Sequence, residues 1–255
     1  MGIRIAAAQA PSVAGDIAAN LQTHLRFIAA ARAEGVQLLV FPELSLCGYE
    51  LPLLRDCAMA PHDARLDALR AAAAGMTVIV GAPLMTVIPA AAARPCIASI
   101  TLTADGGTRV YRKQYLHGGE EVYAQAGPIG ATAHALLGQH YVEAICADTT
   151  HAAHAQAAAE AGATLYVAGV LISAGGYAHD AALLRGHAAS HQMGVLLANH
   201  AADSGGYSVA GNSAFWAPGG QLIVQADGPG DCLVIAEEQH GWQGRVVPLA
   251  AAAAT

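Results

Sequence analysis

A single lysine, Lys113, occurs in the 255 residues, and lysine and arginine together number 12 against 19 acidic side chains. Formal net charge is −7 with histidine neutral. A nucleic-acid surface needs clustered Lys and Arg to neutralise phosphates, so this composition argues against nucleic acid as a partner. Charged residues are only 12% and aromatics 5% of a chain that is 55% hydrophobic. The predicted core is therefore built from Ala, Val, Leu and Ile with close backbone packing. No apolar run reaches the ~18 residues of a membrane span. The first residues lack the basic start and apolar stretch of a signal peptide. The expectations are no membrane partner and a cytoplasmic location. Cys47, Cys57, Cys96, Cys146 and Cys232 are odd in number and form no CxxC pair, which excludes a disulfide framework or a zinc site of the usual spacing. GxGxxG and HExxH are also missing, so no nucleotide loop or metalloprotease helix is expected. His151 and His154 stand three apart without a third ligand of suitable spacing, and no metal or other cofactor is expected. His117, His187, His191 and His200 read as surface or pocket-rim groups.

What is present is a repeated alternation of strand and helix. Residues 3–9 read as a buried strand closed by Pro11. Asp16 can cap a helix that Gly35 ends, with Ile17, Leu21, Leu25 and Ile28 at helical spacing. Residues 36–41 form a second apolar strand, and strand–helix–strand over some forty residues implies parallel neighbours. A loop over 44–61 precedes a helix over 62–74 and a strand over 76–82. Strands over 97–102 and 108–111 flank Ala104-Asp105-Gly106-Gly107, a hairpin signal. After a loop over 114–130, strands are predicted at 141–145, 164–168 and 195–199, with helices at 151–161 and 180–193. From Gly206 the pattern is all-β, with strands at 213–217, 221–225 and 232–237. Residues 1–249 read as a single domain and 250–255 as a low-complexity tail. The class is α/β, with sheets covered by helices on their outer faces.

Three reactive side chains each follow a predicted strand: Glu43 after Leu38-Leu39-Val40-Phe41-Pro42, Lys113 after Val110-Tyr111-Arg112, and Cys146 after Tyr141-Val142-Glu143-Ala144-Ile145. In α/β sheets, ligands bind beyond the carboxyl ends of strands. A carboxylate can take the proton of a thiol and return it to a leaving amine. An ammonium favours a thiolate and stabilises the oxyanion of a tetrahedral intermediate. Each residue also has a structural reading: an inert buried thiol, a turn-capping glutamate, a solvated hairpin end.

Phe41-Pro42-Glu43, Tyr111-Arg112-Lys113 and Ile145-Cys146-Ala147-Asp148 resemble, in order and in spacing, the three signature segments of the nitrilase (carbon–nitrogen hydrolase) superfamily. The resemblance extends from Ala8-Gln9-Ala10 through Ala198-Asn199 to Gly211-Asn212-Ser213. It implies a four-layer α-β-β-α sandwich and a cofactor-free amide hydrolysis through a cysteine thioester. Glu43 would be the base, Lys113 the oxyanion stabiliser and Cys146 the nucleophile. Glu120, seven residues before Gly127, would be a second glutamate, with Glu121 the lesser candidate. The Ala147 N–H would be the second oxyanion donor. Tyr49 and Asn199 are candidate substrate-binding residues, and Cys47 is a candidate for the pocket wall. The family habit implies a homodimer acting on a small-molecule amide.

The chain departs from the pattern where many members carry aromatic-Pro-Glu, having Thr150-His151-Ala152-Ala153-His154 instead. Ala147-Asp148 in place of Trp-Glu after the cysteine favours an amide over a nitrile. Carbamoyl hydrolysis, acyl transfer to an amine, and a non-catalytic binding protein with the same fold stay open.

Overall fold

The computed structural model describes residues 2–85 and 94–250. In chain order the elements are β1 (Ile3–Gln9), α1 (Ile17–Ala33), β2 (Leu38–Val40), α2 (Leu54–Cys57), α3 (Asp67–Ala73), β3 (Thr77–Leu84), β4 (Cys96–Leu102) and β5 (Thr108–Arg112). They continue with β6 (His134–Leu136), β7 (Gln139–Ile145), α4 (Ala152–Glu160), β8 (Leu165–Gly169), α5 (Tyr177–His191), β9 (Gly194–Ala198), β10 (Ala214–Trp216), β11 (Leu222–Gln225), β12 (Cys232–Glu238) and β13 (Trp242–Pro248). A seven-stranded sheet has the order β13-β12-β1-β2-β3-β4-β5, and a six-stranded sheet the order β11-β10-β9-β8-β7-β6. The central pairs β1–β2, β2–β3, β7–β8 and β8–β9 are parallel, as helical crossovers require.

Side-chain alternation along the strands builds the layers. In β1, Ile5 and Ala7 face the second sheet, packing with Val167, Leu196 and Phe215. Ala6 and Ala8 face the other way, onto Phe27 and Ile28 of α1. Across the molecule, Val142, Tyr166 and Ala168 turn outward onto Leu184 and Ala188 of α5. The result is helix, sheet, sheet, helix, the sandwich that the resemblance implied. Asp16 caps α1 as expected, accepting from the Ala19 N–H at 3.0 Å. Gly35 then ends the helix region at φ +68°.

Several local expectations need correction. The loop over 44–61 contains a 3₁₀ turn (Leu51–Leu53) and α2. The helix foreseen over 62–74 starts as a 3₁₀ turn (Ala64–Leu66), because the Asp63 carboxylate takes the Arg65 N–H at 2.9 Å and holds the chain in a tighter coil. Helix α5 begins three residues earlier than foreseen, at Tyr177. Strands β6 and β13 were not foreseen. Both lie half-exposed at sheet edges and so lack an apolar run. Of the low-complexity tail, 251–255 lie outside the described residues.

Candidate active site

Glu43 follows β2 in a segment held very close to two strands. A Cβ on Gly81 would lie 2.4 Å from the Pro42 carbonyl oxygen, and one on Gly169 would lie 2.6 Å from that of Phe41. Only glycine allows this approach. The buried His200 ring donates from Nε2 to the Glu43 carbonyl at 2.8 Å, and Leu44 turns the chain at φ +52°. Glu43 is thereby fixed from its backbone outward.

Lys113 follows β5, its N–H bonded to the Ile97 carbonyl at 2.9 Å. Its side chain is fully buried, and Nζ donates to Glu43 Oε1 and to Glu120 Oε1, each at 2.6 Å. Glu120 Oε1 also accepts from the Tyr49 hydroxyl at 2.6 Å, and its Oε2 from the His117 N–H at 2.8 Å. The spacing to Gly127 has a physical cause. The Gly127 N–H bonds the Lys113 carbonyl at 2.7 Å, and a Cβ there would lie 2.5 Å from the Arg112 carbonyl oxygen. Glu121 points elsewhere and accepts from the Gly119 N–H at 2.7 Å.

Cys146 follows β7 and opens a 3₁₀ turn (Cys146–Thr150) at φ +44°, a left-handed conformation that a non-glycine residue adopts at a cost. Asp148 holds this elbow. Its Oδ2 accepts from the Ile145 N–H at 2.9 Å and the Tyr111 hydroxyl at 2.6 Å. Its Oδ1 accepts from the amides of Gln114 at 3.0 Å and Tyr115 at 2.9 Å. One buried carboxylate thus ties the Cys146 turn to the segment that carries Lys113. Cys146 Sγ sits 3.6 Å from the Leu171 carbonyl, against the Glu43 carboxyl, at the base of a cavity of about 380 Å³. Tyr49, Ala147, Ile172 and Tyr207 are among the cavity walls. The Ala147 N–H belongs to the first turn of a helix, where amides have no intrahelical partner.

The electrostatics follow from packing two carboxyl groups and one ammonium out of water. Burial first, and then the neighbouring Glu120, push Glu43 up to about 7 despite Lys113 beside it. Burial opposes the Lys113 charge, yet Glu43, Cys146 and Glu120 together hold the ammonium above the ordinary lysine value. Burial and then Glu43 push the Cys146 thiol up, and Lys113 does not reverse this. This shift runs against the thiolate form that a neighbouring cation favours. Among buried side-chain atoms, Glu43 Oε2 alone lacks a hydrogen-bond partner within the described residues. It is an unpaired acceptor on the carboxyl beside Cys146.

Other sequence candidates fall elsewhere. Asn199 is fully buried and its amide is consumed by backbone: Oδ1 accepts from Ile172 N–H at 2.9 Å, while Nδ2 donates to Ile172 and Gly211 carbonyls at 3.0 and 2.9 Å. It fastens loops and does not line the cavity. Cys47 is buried in the core beneath the loop. His187 and His200 are buried structural groups, correcting their surface or rim reading; His187 Nε2 donates to the Thr149 carbonyl at 2.7 Å. His154 is also buried, between the hydroxyls of Tyr166 at 2.7 Å and Tyr111 at 2.8 Å. No group of three or more metal-ligating side chains occurs among the described residues. The positioning role of Asp148 was missed by sequence reasoning. Its signal was a charged residue two positions after Cys146 with no solvent-facing periodicity to explain it.

A family model described as carbon-nitrogen hydrolase matches residues 4–241. The chain belongs to the carbon–nitrogen hydrolase family. The family is described by its hydrolysis of carbon–nitrogen bonds. Solved structures of the nitrilase-superfamily amidase from Nesterenkonia sp. AN1 share the fold. One, a mutant in complex with butyramide, is 23% identical with TM-score 0.83 over 92% of this carbon–nitrogen hydrolase and 90% of that chain. Another carries the acetamide moiety of fluoroacetamide on its active-site cysteine, with the same identity, coverage and score. An 86-residue stretch, 32% of this chain, is 41% identical to the glutamine-dependent NAD(+) synthetases of Mycobacterium bovis and Mycobacterium tuberculosis, but spans only 13% of those proteins.

Proposed function

We propose that this carbon–nitrogen hydrolase cleaves a small-molecule amide through a Cys146 thioester, with Glu43, Lys113 and Glu120 as its polar machinery. One observation carries the reading. The single orphaned buried side-chain oxygen among the described residues, Glu43 Oε2, belongs to a carboxyl raised to about 7 beside the only cysteine that is not buried. A base with that value is matched to neutral pH.

The Cys146 proton moves to Glu43 as Sγ bonds to the carbonyl carbon. The oxyanion formed is held by Lys113 Nζ and the Ala147 N–H, donors that need no rearrangement because packing has already fixed them. Collapse breaks the carbon–nitrogen bond, and Glu43 gives the proton to the departing amine. Water then attacks the thioester, losing its proton to Glu43. The carboxylic acid leaves with Sγ as leaving group, and the proton returns to sulfur. Glu120 anchors Lys113 between two carboxylates, with the Tyr49 hydroxyl fixing Glu120 in turn. Ala147-Asp148 after the nucleophile favours an amide over a nitrile, and the Nesterenkonia amidase complexes with small amides point the same way. A homodimer and cytoplasmic residence are part of the same proposal.

Ammonia release from a panel of primary amides tests it. The wild type is expected to turn over at least one member, and Cys146→Ala to lose at least 10³-fold. Equal rates would refute the reading. Intact-mass analysis of the wild type with a slow substrate should show an acyl adduct on Cys146. A non-catalytic protein would show neither.

A further inference from the structure

Beyond the reacting groups at its base, the charge in the cavity is strongly one-sided. Its lining contains one acidic side chain, Asp180, and neither arginine nor lysine. Lys113 is fully buried and already shared by two carboxylates. Asp180 enters from the first turn of α5, half-buried beside Gly176, whose Cβ, if it had one, would lie 3.8 Å from Oδ2. Its carboxylate makes no hydrogen bond or ion pair among the described residues. The charged or titratable neighbours that act on it are His179 and His117. Burial raises it from the usual carboxylate value, as expected of an acid left without a cationic partner.

Resting on the amidase reading above, we propose that this site takes amides whose acyl chain ends in a positively charged group, and that Asp180 binds that cation. A substrate carboxylate in the same place would face Asp180 with no arginine or lysine in the lining to offset it. An ammonium would complete the missing pair. At about 380 Å³ the cavity lies near the small end of ligand pockets, which span about 300–1,000 Å³, and it suits a short chain. Ser173 and Thr150 add neutral hydrogen-bonding groups to the same wall. Asp180 has a second possible duty, since a carboxylate in the first turn offsets the positive end of a helix. That duty affects stability and would not discriminate between substrates.

The test compares 5-aminopentanamide with the ω-carboxylate monoamide of glutaric acid at pH 8, above the ordinary histidine range. In the wild type, kcat/KM is expected to favour the amino compound at least tenfold. Asp180→Asn should shrink that ratio at least tenfold. A variant that lowers both substrates equally, or a wild type that prefers the carboxylate, overturns the proposal while leaving the amidase reading intact. A second measurement does not depend on turnover: alkylation of Cys146 by 2-bromoethylamine and by iodoacetate, each normalised to 2-mercaptoethanol and read by mass spectrometry. Cation-selective alkylation that Asp180→Asn abolishes, in a protein that hydrolyses no amide, would retain the charge preference and discard the amidase reading. Alkylation favouring iodoacetate would overturn the charge preference.

Discussion

At the scale of single residues, the site works by withholding water from three charges. In the proposed reaction Glu43 must be unprotonated to accept the thiol proton, and burial has moved it up to about 7. Activity belongs to the carboxylate form, so it is present above that value and lost below it. The expected profile of kcat/KM has an acid limb with apparent pKa near 7, falling about tenfold per pH unit below it. A limb near the ordinary glutamate value in a stopped ammonia assay would contradict this. The meeting of Glu43, Lys113, Glu120 and Cys146 was legible because the first, second and last each follow a strand in a recognisable order, and Glu120 stands seven residues before Gly127. The direction of the Cys146 shift was not, because a motif records neighbours and not desolvation. Nor did sequence distinguish Asn199, which ties backbone together, from a pocket residue. A buried amide and a ligand-binding amide look the same in one dimension.

At the scale of elements, precision comes from glycines that let strands and loops touch. Gly169→Ala would place a methyl 2.6 Å from the Phe41 carbonyl oxygen, two residues before Glu43. Overpacking of this kind costs about 1–3 kcal/mol. The variant is expected to show a lower urea midpoint together with a reduced kcat, because the push is transmitted to Glu43, the proposed base. Gly186→Ala provides the contrast. That glycine is exposed within α5, and a Cβ there meets nothing within 4 Å. Helix propensity alone should raise stability by about 0.5–1 kcal/mol, with activity retained. The buried parallel strands were readable as apolar runs. Strand β13 was not, because its residues are mostly solvent-facing and its position comes from pairing with β12.

At the scale of the whole molecule, acid is the expected weakness. His24 and His200 are fully buried, and burial pushes each down to about 4 from an ordinary 6.5. Unfolding exposes them to a solvent in which they protonate more readily. Each therefore contributes stability that is present above about pH 6.5 and lost as pH falls toward 4. Shifts of this size correspond to roughly 3 kcal/mol per histidine. The urea midpoint is expected to fall steadily between pH 7 and pH 4.5, and a flat midpoint across that interval would refute the account. Sequence placed His200 at a surface or rim because its burial depends on two sheets closing over the Glu43 segment, a long-range event with no local signature. The total sealing of Lys113 has a further use. Because the chain has no other lysine, an amine-directed acylating reagent finds no lysine amine on the folded surface, and the moment one becomes reactive marks the opening of the catalytic core itself.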